Sequence, residues 1–251
     1  MMHGALEAGM WGAVAGAALL IGAVVGLLVN VPRRLTAAIM AFGAGVLLAA
    51  LSLDLMEEAF EAGGFDSTAA GFIGGALLFT VVNWLLSRRG ARHRKHSGDR
   101  QPREKDAPGS GMAIFAGALI DGIPESIVIG LSLIGGQGVS LPTVAAIFLS
   151  NLPEGLATAT GMKQAGRSRG YVFGLHFAVV VISATAAVIG YTLFDGVSRE
   201  VVAATTAVAA GGILAMLADT MMPEAFEEAR DFTGLVTVLG FLAAFVLQKL
   251  A

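Results

Sequence analysis

Four polar residues stand deep inside two long apolar runs. Asp121 and Glu125 interrupt the run 111–134, and Asn151 and Glu154 interrupt the run 141–162. As helices, these runs would place Asp121 and Glu125 four apart on one face. Ser150 and Glu154 are likewise four apart, and Asn151 and Glu154 three apart. A charge at the centre of a bilayer costs about 2.5–3.5 kcal/mol on insertion scales. Neither run contains Lys or Arg, which leaves a proton or a bound cation to compensate the carboxylates. Pro124 and Pro153 directly precede Glu125 and Glu154. Each lacks an N–H, which frees the carbonyl four residues earlier, at Ile120 and Leu149. Such irregular backbone is tolerated at membrane depth where it lines a cavity. Carboxylates, an amide, a hydroxyl and freed carbonyls form the kind of oxygen shell that hard divalent cations prefer. A single buried carboxylate could instead be a protonated residue bonded to backbone. Two matched copies in neighbouring runs point to a site.

The elements that position these residues follow from composition. The chain is 55% hydrophobic and 14% charged, with mean hydropathy +0.75, whereas soluble domains are about 25% charged. Its apolar residues come in runs long enough to cross a ~30 Å hydrocarbon core as helices. The expected fold is an all-α membrane protein with eight transmembrane helices, over 9–31, 35–57, 68–87, 111–134, 141–162, 170–194, 201–222 and 232–249. Abundant Gly, Ala and Val would let these helices approach closely. The first run has no preceding Lys or Arg and is too long for a cleaved signal. There are no cysteines, which excludes disulfides, thiolate zinc sites and thiol catalysis.

Charge asymmetry gives an orientation. With both termini outside, 14 of the 16 Lys and Arg residues lie in inner loops, the exceptions being Arg199 and Lys249. The segment 88–110 is basic and nearly devoid of apolar residues, and reads as a flexible cytoplasmic loop. It separates helices 1–3 (1–87) from helices 4–5 (111–169) and helices 6–8 (170–251).

Two internal repeats are legible. AGVLLAALSLDLMEEAFE (44–61) and AGGILAMLADTMMPEAFE (210–227) share ten of eighteen positions at an offset of 166. DGIPES (121–126) and SNLPEG (150–155) form a shorter pair. Each pair falls on spans of opposite direction, which gives a 3+2+3 inverted-repeat bundle, N-out and C-out. Inverted repeats around a midplane site are typical of secondary transporters.

Other polar residues carry weaker readings. Asp219 and Glu224 could support a metal path, as could Ser150. Asp54, Glu57 and Glu58 read as an outer helix end. His93 and His96, three apart in the basic loop, are either solvated or a regulatory metal pair. Asn83 reads as an interhelical hydrogen-bonding residue and His176 as a satisfied core histidine. Met56, Met216, Met221 and Met222 read as packing.

Paired PE motifs, the basic loop after the third span and the repeat scheme together resemble the ZIP (Zrt/Irt-like) metal transporters, nearest to their GufA-like prokaryotic branch. SNLPEGLATATGMKQAGRSRG (150–170) is similar to that family's HN-x-PEG segment, and MMPEA (221–225) to its span-7 ending. The resemblance implies uptake of divalent metals such as zinc, iron or manganese toward the cytoplasm. It also implies a site between spans 4 and 5 and an elevator-like motion of one bundle against the other. By position, Asp121 and Ser150 replace the family's two motif histidines, Gly122 replaces an Asn, and Glu125, Asn151 and Glu154 are kept. Ser183 and Ala184 stand where an acid and a proline are frequent. These departures imply at most one metal site, rich in oxygen, and so suited to a harder ion than zinc.

The leading expectation is therefore a secondary transporter of divalent cations in the cell membrane, with Asp121, Glu125, Asn151 and Glu154 as ligands. Its partners would be metal ions, lipid and a second copy of the chain, and not nucleic acid. Two other classes remain open at this point. One is a transport-inactive sensor or scaffold derived from a transporter. The other is an intramembrane enzyme using Asp121 and Glu154 as an acid/base pair, although no nucleophile–base or metal-protease motif accompanies them.

Overall fold

The computed structural model describes residues 2–97, 99–134 and 138–250, with every side chain among them except that of Glu228. Gly98 of the basic loop, residues 135–137 and the two terminal residues lie outside the described set. Among the described residues there is no strand. The helices are α1 (Met2–Leu28), α2 (Arg33–Ala50), α3 (Met56–Leu86), α4 (Ser110–Ser132), α5 (Leu141–Gln164), α6 (Arg169–Phe194), α7 (Arg199–Met216), α8 (Met222–Ala229) and α9 (Thr233–Leu250).

Among the described residues, six helical stretches are long and apolar enough to cross a membrane: Met2–Leu28, Arg33–Ala91, Ser110–Ser132, Arg169–Phe194, Arg199–Glu227 and Arg230–Leu250. The apolar runs expected at 35–57 and 68–87 thus belong to one helical stretch. Between the two runs its non-helical residue is Gly64, at φ 70° and ψ 179°, a conformation that glycine adopts without steric cost. α5 is not among the six. Its Ser, Thr, Asn and Glu residues lower its hydropathy, and it is instead packed inside the molecule, with most of its length buried.

Helix starts and turns follow the local sequence. Ser140 caps α5, its hydroxyl accepting from Thr143 N–H at 3.3 Å, with proline in the first turn. Ser168 caps α6 in the same way through Tyr171 N–H. Side-chain acceptors at this position satisfy donors that the first helical turn leaves unpaired.

Two of the three π-helical turns among the described residues, Leu51–Leu55 and Leu217–Met221, lie inside otherwise α-helical chain. They lie 166 residues apart, at the same place in the two copies of the longer repeat. The sequence-level match therefore extends to a matching irregularity of the backbone.

Small residues set the packing. A Cβ on Gly155 of α5 would stand 2.0 Å from the carbonyl oxygen of Leu19 in α1. One on Gly130 of α4 would stand 2.2 Å from that of Ala187 in α6. α1, α4, α5 and α6 thereby form one bundle. α2 pairs with α9 and α3 with α7, and α8 packs on α2 to complete a second bundle. The first bundle carries α4 and α5, and thus the acidic residues. The second meets it chiefly where α2 lies on α5 and α3 and α7 lie on α4.

Candidate metal centre

Asp121 and Glu125 project from the middle of α4, and Asn151 and Glu154 from the middle of α5. All four side chains are buried, with Glu125 1% exposed. The helical spacing around Pro124 and Pro153 places the acids of α4 and Glu154 of α5 in the interior, and one lysine touches both helices.

That lysine comes from outside the spans. Lys95 Nζ donates to Glu154 Oε2 at 2.8 Å and lies 3.1 Å from Asp121 Oδ2. Its side chain is fully buried. Beside it, Arg94 forks onto Asp121, with Nη2 to Oδ1 at 3.0 Å and Nε to Oδ2 at 3.3 Å. The third arm of the guanidinium, Nη1, donates to Asn83 Oδ1 of α3 at 2.7 Å. A bidentate guanidinium–carboxylate pair is among the stronger hydrogen-bonded arrangements. Asn83 therefore does bond across elements, but to the loop cation and not to a neighbouring helix.

Part of 88–110, expected as a flexible cytoplasmic loop, thus folds back onto the bundle. Arg94, Lys95, His96, Ser97 and Gln101 are all buried. The physical reason is charge: α4 has no Lys or Arg, the lysine of α5, Lys163, bonds Leu27 O at the helix end, and the loop supplies two bases to the buried acids. Gln101 fastens the loop backbone, its amide donating to Arg94 O at 3.0 Å and to Thr158 O of α5 at 3.3 Å. At the far end, Glu104 accepts from Gly109 N–H at 2.6 Å and Gly111 N–H at 3.0 Å, capping α4. The Gly111 N–H foremost, with Gly109 and Arg167, holds the Glu104 carboxyl below its usual range.

Two glycines make room for this arrangement. A Cβ on Gly117 of α4 would lie 2.3 Å from Arg94 Cδ. A Cβ on Gly161 of α5 would lie 2.3 Å from the Gln101 amide nitrogen and 2.4 Å from the His96 carbonyl oxygen.

Three carboxylates face two cations, so one carboxylate is not compensated by the loop. Glu125 is where that shows: its Oε2 is buried and has no hydrogen-bond partner. The neighbouring groups are committed only in part. Asn151 donates its amide to Ala15 O of α1 at 3.2 Å, and Ser150 donates its hydroxyl to Ile147 O at 3.0 Å. The side-chain oxygens of both remain available as acceptors. Asp121, Glu125 and Glu154, with Asn151 and Ser150 beside them, are the oxygen-bearing residues buried here, and the loop cations stand on two of the three acids; among the described residues, the acids and histidines whose ligand atoms all lie within 4.8 Å of one another are instead His96, Glu224 and Glu227.

The remaining polar residues are placed elsewhere. Asp219 is exposed in the π turn Leu217–Met221 and makes no hydrogen bond or ion pair with the α4–α5 acids. Glu224 lies on α8, near the loop histidines: His93 Nδ1 is 3.7 Å from Glu224 Oε1, and His96 Nε2 is 3.6 Å from Glu227 Oε2. One ligand atom from each of His96, Glu224 and Glu227 can be chosen so that all lie within 4.8 Å of one another. Glu227 also pairs with Arg100. Burial first, then the Arg100 and Arg92 guanidiniums, pushes the His93 imidazole below its usual range. Asp54 is not a plain solvated helix end, since it accepts from Thr143 Oγ1 of α5 and from the Gln248 amide of α9. His176 is held through Nδ1 by Val172 O at 2.8 Å, while its Nε2 has no hydrogen-bond partner.

Arg94, Lys95 and Gln101 are the residues that reading the sequence does not single out. The signal that points toward them is indirect: three carboxylates in apolar helices require cations, and the loop joined to α4 holds the nearest ones.

No family model matches the chain. Among curated proteins it is similar to the zinc transporter SLC39A7 of Canis lupus familiaris, 26% identical over 182 residues. That match covers 67% of this chain and 39% of the dog protein, so the chain spans well under half of its relative's length. The helical membrane architecture, with buried acids on two adjacent helices, therefore belongs to a chain distantly similar to a zinc transporter.

Proposed function

We propose that this protein is a secondary transporter of divalent metal cations, with Asp121, Glu125 and Glu154 as the ligands that carry charge and Asn151 and Ser150 completing an oxygen-rich shell. The observation that carries this reading is the group of three buried carboxylates on α4 and α5, one with an oxygen atom left unpartnered. Protein interiors keep such groups only when they are protonated or paired with a cation, because removing charge from water costs several kcal/mol per ion. The distant similarity to a zinc transporter supports the same class.

In this reading the chain crosses the cell membrane eight times, with both termini outside, and moves the ion toward the cytoplasm. The π turns matched across the repeat support a 3+2+3 inverted arrangement, as do the paired packings of α2 on α9 and α7 on α3. The division into two bundles supports alternating access by motion of one against the other. An all-oxygen donor set favours Mn²⁺ or a similarly hard ion over Zn²⁺. The seating of Arg94 and Lys95 on the acids favours a second reading, in which the chain no longer transports and serves as a membrane sensor or scaffold.

Uptake by the purified protein in liposomes separates the two. The first reading expects uptake of at least one of Mn²⁺, Fe²⁺, Co²⁺ and Zn²⁺, abolished by Glu125→Gln and by Glu154→Gln. Uptake of none of these ions would leave the second reading.

A further inference from the structure

The loop that meets the acids does more than neutralise them. Arg94 touches Asp121 on α4 and Asn83 on α3. Lys95 touches α4 and α5. Five residues farther on, Arg100 pairs with Glu227 at the end of α8. α4 and α5 belong to one bundle, and α3 and α8 to the other. A single short stretch of loop therefore both occupies the acidic site and bridges the two bundles.

We propose that Arg94 and Lys95 are a tethered cation pair that competes directly with the divalent ion for Asp121 and Glu154, and that the loop must leave its seat before an ion binds or the bundles move. The inference rests on the transporter reading and adds to it a built-in competitor.

Geometry and charge both support mutual exclusion. Lys95 Nζ lies within 3.1 Å of one oxygen of Asp121 and within 2.8 Å of one of Glu154. A divalent ion held by both acids would need to sit at that same place, since metal–oxygen distances are about 2.0–2.6 Å. An ammonium and a metal ion cannot share the position, sterically or electrostatically. The seat is shaped for the loop as well. Gly117 and Gly161 lie on two different helices, and at each the missing Cβ is filled by loop atoms. An alanine at either position leaves the acids and the loop cations intact while removing the room that the seated loop occupies.

The competition also has a transport logic. An empty site would leave three carboxylates in an apolar surrounding, whereas the seated loop compensates two of them. The loop thus stabilises the unloaded protein in one state, and ion binding must displace it. Apparent ion affinity is reduced by the fraction of molecules in which the seat is filled.

The test uses the full chain in nanodiscs, with Mn²⁺ as probe. The chain has no cysteine, so Ser97→Cys, at a buried loop position, reports the loop through its rate of labelling by a hydrophilic maleimide. Mn²⁺ is expected to speed labelling on the order of tenfold. Gly117→Ala and Gly161→Ala are each expected to speed labelling without metal and to tighten Mn²⁺ binding by a similar factor, on the order of tenfold, if the loop is seated about nine-tenths of the time. Lys95→Gln should act in the same direction, and the glycine variants guard against its misfolding. Mn²⁺ binding of equal affinity in wild type and both glycine variants, with labelling indifferent to Mn²⁺, would overturn the competition while leaving the transport site standing. No Mn²⁺ binding in any variant, with Ser97→Cys labelled rapidly in both glycine variants, would overturn the transport site itself and with it the competition.

Discussion

At the scale of single residues, Asp121 is the hub of the buried network. It receives the whole Arg94 fork and shares Lys95 with Glu154. Removing one partner from a buried ion pair leaves the other charge stranded, at about 3–5 kcal/mol. Asp121→Asn is accordingly expected to lower stability by roughly that amount, read from the unfolding of the protein in detergent. Asn83→Ala removes one hydrogen bond to a charged group and should cost about 1.5–3 kcal/mol. If Asp121→Asn were no more damaging than Asn83→Ala, the network would not be centred on Asp121. Glu125 differs from both acids, because no loop cation bonds it. Its substitution by Gln should spare stability and remove ion binding.

At the scale of elements, the close helix pairs decide how the bundles hold together. A Cβ on Gly45 would stand 1.9 Å from Thr237 O, and one on Gly211 would stand 1.9 Å from Phe72 O. Gly45 and Gly211 are 166 residues apart, as are the two π turns. In both cases the obstacle is backbone, which cannot rotate away as a side chain can. Gly45→Ala and Gly211→Ala should each destabilise by about 1–3 kcal/mol, as overpacking does, and by similar amounts. Gly174→Ala, with nothing within 4 Å of its Cβ position, should be neutral or slightly stabilising. Thermal unfolding in one detergent compares all three. Strongly unequal losses at Gly45 and Gly211 would count against structural equivalence of the two repeat copies.

At the scale of the whole molecule, one end collects the basic loop, the start of α4, the end of α5 and α8. The other holds the α2–α3 acids with the start of α5. This polarity underlies the orientation read from Lys and Arg placement. Single cysteines test it in a chain that has none. Glu61→Cys and Arg103→Cys are both at exposed positions and should label from opposite sides of a sealed membrane, Glu61→Cys from outside. Labelling of both from one side would refute the proposed topology.

The sequence by itself determined that the chain is built of long apolar helices and where acids interrupt them, though not that the runs at 35–57 and 68–87 join in one helical stretch. Both are local properties: a helix satisfies its own backbone within the apolar run, and Asp121, Glu125 and Glu154 are conspicuous against apolar neighbours. The repeat was legible for the same reason, as a one-dimensional match. Only the tertiary structure decided what compensates those acids. Arg94 meets Asp121 across 27 residues, and Lys95 meets Glu154 across 59. No periodicity links partners so far apart, and a basic, polar loop reads as solvated until a buried charge gives it somewhere to go. Composition made 88–110 a linker; uncompensated carboxylates on α4 and α5, with space at Gly117 and Gly161, made it part of the site.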